Sequence, residues 1–194
     1  VVQRCAMFTV LPLIGTAVAI QPLLGFNYGA GLIPRVRQTL RFGILMATVI
    51  GSVMWVLIML FAGDIVNFFG IRADALRDFT AFALRIQLLV LPVVGFQIVM
   101  GNYFQATGQP MKSIVLSLTR QVLFLIPLYI VLPIVLPMLV PSLTGLDALY
   151  FAVPISDVLS IVTAALFLAF ELRRLKRVEA GEEGSRFGKG AKKA

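Results

Sequence analysis

Five long stretches almost free of charge divide this chain, at roughly residues 6–26, 42–62, 79–105, 114–136 and 148–170. A helix rising ~1.5 Å per residue needs ~20 apolar residues to cross a hydrocarbon core of ~30 Å, and each stretch is long enough. Nothing else in the sequence constrains the fold as strongly. Backbone inside lipid must satisfy its own hydrogen bonds, so five such stretches imply five transmembrane helices and an all-α polytopic membrane protein. Apolar residues make up 59% of the chain. Its charges collect between the stretches instead of alternating with apolar positions as on a soluble surface.

The position of those charges sets a topology. Arg35, Arg37 and Arg41 fill the first loop and Lys112 the third, while Arg173, Arg174, Lys176 and Arg177 follow the last stretch. The second loop mixes acids with arginines, and the fourth, 137–147, has no Lys or Arg. The positive-inside rule therefore places the first loop, the third loop and the tail in the cytoplasm. A net charge of +8 that is distributed this way points to a bilayer and not to nucleic acid. The same topology starts the chain outside, although it begins at Val1 without an initiator Met or a signal peptide, so the expectation is that an earlier span precedes it.

Prolines and turns predict the irregular points. The third stretch holds Arg85 near its start and Pro92 in its middle, and reads as a kinked helix whose arginine reaches the interface. Pro127, Pro133 and Pro137 predict a distorted outer end for the fourth span. Pro92, Pro127 and Pro154 read as bending positions or ordinary kinks. Residues 63–78 read as a connecting loop in which Asp74 to Asp78 starts a short helix, and Thr107 to Pro110 as a tight turn that makes the third and fourth spans antiparallel neighbours. The Gly-rich, basic segment 178–194 reads as a disordered cytoplasmic tail after a helical lobe over 1–177.

A single cysteine, Cys5, excludes a disulfide framework within the chain, and the absence of His removes the commonest proton relay and catalytic base. With no pair of facing intramembrane Asp residues either, the reading is not that of an enzyme. The polar groups within the spans are then the informative ones, since such groups face the protein interior or a water-filled path. Gln97, Gly101 and Gln105 share one face, either lining a cavity or bonding a neighbouring helix with Gly101 as the close-approach point. Span four carries Ser113, Ser117 and Arg120 on one face, and span five carries Ser156, Ser160 and Thr163 beside Asp157. Arg120 lies about 12 Å inward of Lys112 and Asp157 about 15 Å from Asp147 at the opposite edge, so their depths nearly coincide. An Arg120–Asp157 ion pair follows, acting as a fixed clamp or as a gating or proton-linked group.

Three segments carry a family resemblance. They are Gln21-Pro22-Leu23-Leu24-Gly25-Phe26-Asn27-Tyr28-Gly29-Ala30-Gly31, the run from Gly101-Asn102-Tyr103-Phe104-Gln105 through Gln109-Pro110 to Leu118-Thr119-Arg120 and Pro127, and the run from Gly145 through Pro154 to Ser156-Asp157. In order and spacing they resemble the second lobe of multidrug and toxic compound extrusion (MATE) transporters. The resemblance implies twelve helices in two six-helix lobes, with these five spans matching the eighth to the twelfth and the first lobe absent. It implies alternating-access export of organic cations, coupled to protons or sodium without a cofactor, in a bacterial or archaeal cytoplasmic membrane. Gln97, Gln105, Arg120 and Asp157 become candidates for cavity lining or gating. One departure stands out: where a branch of the family has an acid three residues before the matching Gln, this chain has Val94. A lipid-linked oligosaccharide flippase of related fold, or an accessory membrane subunit, is the alternative.

Overall fold

The computed structural model describes residues 1–71, 73–140 and 145–179. Helix α1 (Val2–Gly29) turns at Gly31, where φ is +72°, into α2 (Ile33–Phe68). Short α3 (Asp74–Gln87) leads into α4 (Leu91–Ala106), and a turn at Gly108 leads into α5 (Pro110–Leu118). A π-helical stretch, Thr119–Leu125, joins α5 to α6 (Ile126–Leu139), and α7 (Gly145–Glu179) closes the described chain. Four uninterrupted helical runs are long and apolar enough to cross a membrane, and α3 with α4 forms a fifth that bends by 47°. The protein is an integral, all-helical membrane protein.

The helices are longer than the apolar stretches. α2 has 36 residues, about 54 Å at the α-helical rise and so well beyond the hydrocarbon core. One excess end carries Arg35, Arg37 and Arg41. The other corrects the reading of 63–78 as a loop, because α2 continues past Gly63 to Phe68 after a kink at Phe61. The reason is packing: Val66 is fully buried in the apolar cluster formed with Ala62, Ala83 and Leu84, and that burial holds the extra turn in helix. α7 likewise reaches Glu179, and residues 180–194 of the expected tail lie outside the described residues, as do 141–144 of the fourth loop.

The expected distortion of the fourth span sits elsewhere than expected. α6 holds Pro133 and Pro137 inside regular helix, whereas the irregular turn lies before Pro127. Proline offers no N–H to the carbonyl four residues back, and its ring crowds that carbonyl. Here the preceding turn widens in response, and the Ile126 N–H bonds the Gln121 carbonyl five residues back. The third span breaks at 88–90 with Pro92 in the first turn of α4, and α7 runs through Pro154 as one helix.

α1, α2 and α4 pack on one another, while α7 packs on α6, the π-helical stretch, α4 and α3. Small residues set the closest crossing. A methyl group added at Gly95 would come within 2.8 Å of Leu13 Cδ2 and 3.0 Å of the Ala47 carbonyl, and one at Gly51 within 3.0 Å of the Leu91 carbonyl. At Gly101, the position read as a close approach, the nearest atom would be Ser113 Oγ at an ordinary 3.7 Å. The tight contact belongs to the α1–α2–α4 crossing and not to α4–α5. Large apolar side chains such as Phe8, Phe26, Leu60 and Phe170 stay exposed on the outside, as a lipid-facing surface requires.

Candidate functional site

A cleft of about 370 Å³ opens between α1, the α3–α4 break, the π-helical stretch with α6, and α7. Its walls are apolar, with Met7, Leu11 and Leu91 among them, and its polar groups are Gln3, Gln87, Arg120, Tyr129 and Asp157. Each comes from a different local cause. The wide turn carries Arg120, α7 brings Asp157 in from the opposite side, and Gln87 ends α3 where the third span breaks. Gln87 Nε2 donates to Gln3 Oε1 at 3.2 Å across the cleft.

Arg120 Nε approaches Asp157 Oδ1 to 2.8 Å, so the two charges placed at one depth by residue counting do meet. Their surroundings differ: the Asp157 side chain is 5% exposed and that of Arg120 36%. The Nε–H is not aligned on the oxygen, and Oδ1, although buried, receives no hydrogen bond. Asp157 therefore sits behind Arg120, neutralised by proximity and incompletely solvated, while the guanidinium faces the open space. Val94 is part of the same wall.

Gln97 and Gln105 are not among the residues lining this cleft. Gln97 is buried with its Oε1 unbonded, and Gln105 is exposed and donates from Nε2 to Ser113 Oγ at 3.0 Å. Gln105 thereby meets α5, and helix-to-helix bonding is the arrangement present for it. The hydroxyls of Ser156 and Ser160 donate to carbonyls of their own helix at 2.8 and 2.7 Å. They leave Asp157 as the polar group that α7 offers the cleft.

A second ionic centre, at the basic end of the lobe, was missed by sequence reasoning. Glu171 is 1% exposed. It accepts from Lys112 Nζ at 2.8 Å, Gln109 Nε2 at 3.1 Å and the Tyr103 hydroxyl at 3.4 Å, and pairs with Arg174 at 3.3 Å. The signal was present: one acid stands where an apolar run gives way to Arg173, Arg174, Lys176 and Arg177. Lys112 also lies 5.3 Å from the centre of the Phe104 ring, which stacks edge-on with Phe167 at 6.0 Å.

A membrane-embedded bundle with a broken span, a wide turn and a charged pair facing a cleft is an arrangement that secondary transporters use. The chain belongs to the MatE family, whose model matches residues 1–131. The MATE multidrug transporter DinF-BH, solved as a complex, is similar at 35% identity and a TM-score of 0.75, over 87% of this chain and 36% of that one. MATE transporter ClbM, solved with Rb+, aligns at 26% identity and 0.78, over 92% and 40%. The inward-facing form of a multidrug resistance MATE transporter of the MOP superfamily shares the fold at 21% identity and 0.79, over 91% and 39%. This chain thus spans about two fifths of the length of these relatives. No curated protein matches it.

Proposed function

We propose that this chain is one lobe of a cation-coupled antiporter that exports organic cations by alternating access, working against a second lobe across a shared cavity. The observation that carries the reading is the Arg120–Asp157 pair, a buried carboxylate and a partly exposed guanidinium held together on the wall of an apolar cleft. An intramembrane ion pair beside a cavity is where transporters place ion or substrate pathways. Arg120 and Asp157 act as gating groups of this half of the path, Gln105 holds α4 to α5 through Ser113, and Pro92, Pro127 and Pro154 permit bending. The coupling ion is a proton or sodium, and no cofactor is needed. The basic end faces the cytoplasm, in keeping with the positive-inside rule.

Arg120 is the one cation lining the cleft among the described residues, which weighs against a path for an anionic lipid-linked sugar. The test is ethidium extrusion by the full-length protein in an efflux-deficient host, with and without sodium and with the proton gradient collapsed. Gradient-dependent extrusion supports the reading and names the ion. A well-folded full-length protein that extrudes nothing under any gradient overturns it.

A further inference from the structure

A separate groove of about 500 Å³ lies at the end of α2 away from its arginines, between the last two turns of that helix and α3. Leu60, Asp64 and Asn67 form one wall, and Asp78, Phe82 and Arg85 the other. It shares no lining residue with the cleft. Gln87, which lines the cleft, points about 160–180° around α3 from Arg85 and Asp78 at ~100° per residue, so α3 stands between the two spaces and the groove looks away from the cleft.

Its depth is that of lipid headgroups. Asp64 lies about 35 Å along α2 from Arg41, slightly more than a hydrocarbon core of ~30 Å. Below it, Val53, Val56, Leu57 and Leu60 make an exposed apolar stripe down the face of α2 that carries Asp64 and Asn67. On α3, Arg85 stands about 10 Å deeper than Asp78, one turn before the break, and enters the groove from the side of the lipid tails.

The charges in the groove are complementary to one kind of ligand. Among the described residues, Asp64 and Arg85 pair with no other charge, although they are of opposite sign and line the same space. Asp78 is different, since Arg77 approaches it at 3.4 Å and Asp74 at 3.7 Å. The groove therefore offers a free guanidinium at its deeper end and a free carboxylate with an amide at its outer end. A phospholipid presents its groups in the same order, acyl chains first, then phosphate, then amine. A guanidinium forks onto phosphate oxygens, and a primary ammonium supplies three N–H donors to a carboxylate and an amide oxygen. A trimethylated amine has no such donor and is held by aromatic cages, whereas Phe82 is the one aromatic ring lining this groove among the described residues.

We propose that the groove binds a phospholipid with a primary-amine headgroup, a phosphoethanolamine lipid. Arg85 takes the phosphate, Asp64 and Asn67 take the ammonium, and an acyl chain lies along Val53, Leu57 and Leu60. The inference needs only that the chain is embedded in a membrane, and it stands apart from the transport reading.

Native mass spectrometry of the full-length protein tests this. Given phosphatidylethanolamine and phosphatidylcholine with the same acyl chains in equal amounts, the protein should carry the former in preference by about fivefold, the size of one exposed charge-assisted contact. Asp64→Ala should bring the two lipids to near parity, and Arg85→Met should weaken binding of both by a similar factor. A photoactivatable phosphatidylethanolamine should cross-link within residues 53–67 or 78–85. Equal binding of the two lipids by the unaltered protein, a preference that survives Asp64→Ala, or cross-links confined to other segments would each overturn the proposal. Free phosphoethanolamine in large excess should leave the lipid bound; its displacement of the lipid would assign the groove to a soluble compound and overturn the lipid as occupant. Asp64 and Arg85 are both exposed, so the variants should keep the thermal unfolding temperature in detergent. If Asp64→Ala does not keep it, Asn67→Leu carries the same comparison.

Discussion

Replacing Arg120 by Met would leave the Asp157 carboxylate, 5% exposed, without its cation. Removing one partner of a buried pair costs about 3–5 kcal/mol, and because Arg120 is itself 36% exposed the lower end, about 3 kcal/mol, applies. The reverse change, Asp157→Leu, strands a guanidinium that can turn toward water in the cleft and should cost only about 1–2 kcal/mol. Replacing both with apolar side chains removes the stranded charge and should cost no more than about 1 kcal/mol. The cycle therefore predicts a coupling of at least about 2 kcal/mol, near thirtyfold in an unfolding equilibrium. Reversible unfolding of the full-length protein in mixed detergent micelles at neutral pH measures all four variants. Single effects that add to the double within about 0.5 kcal/mol would refute the pairing, and Asp157→Leu emerging as the worse single change would refute the assignment of the buried member.

Gly95→Ala should destabilise by about 1–3 kcal/mol, since its methyl meets the Ala47 backbone, whereas Gly101→Ala should be near neutral because Ser113 Oγ lies at ordinary contact distance; thermal unfolding in detergent separates the two. Phe104→Ala empties the centre of the inner cluster and should cost about 3–5 kcal/mol by the same measurement. Gln105→Leu removes one partly buried bond to Ser113 and should cost about 1 kcal/mol or less, read as a small shift in the same unfolding transition.

The Arg120–Asp157 contact was legible because it needed only two loop positions and the helical rise, quantities that a sequence displays directly. Glu171 was not legible in the same way. It stands one turn from solvent-facing arginines, and only the folding back of the Thr107–Gln109 turn over α7 buries it. The choice between Gly95 and Gly101 as the close-approach residue depended on which face of α4 meets α2, and both lie in equally apolar surroundings along the chain. Pro127 announced a distortion, but whether the turn before or the helix after would yield depends on packing: α6 keeps regular helix, and the slack went into the residues that carry Arg120. Gln105 shows the opposite limit, since a polar position at the right spacing for a cavity proved to be spent on the neighbouring helix.

The widened turn also fixes a phase. In an unbroken α-helix Ser113 and Tyr129, sixteen residues apart, would point roughly 160° away from one another at about 100° per residue. One residue absorbed in the wide turn brings them to within about 60°, so that Ser113 meets α4 and Tyr129 still looks into the cleft. The span between Thr119 and Leu125 can therefore lose the absorbed residue without moving Tyr129, because the regular helix left behind keeps the same phase, whereas a single deletion in α5, with the wide turn kept, would swing all of α6 by about a quarter turn and carry Tyr129 out of the cleft.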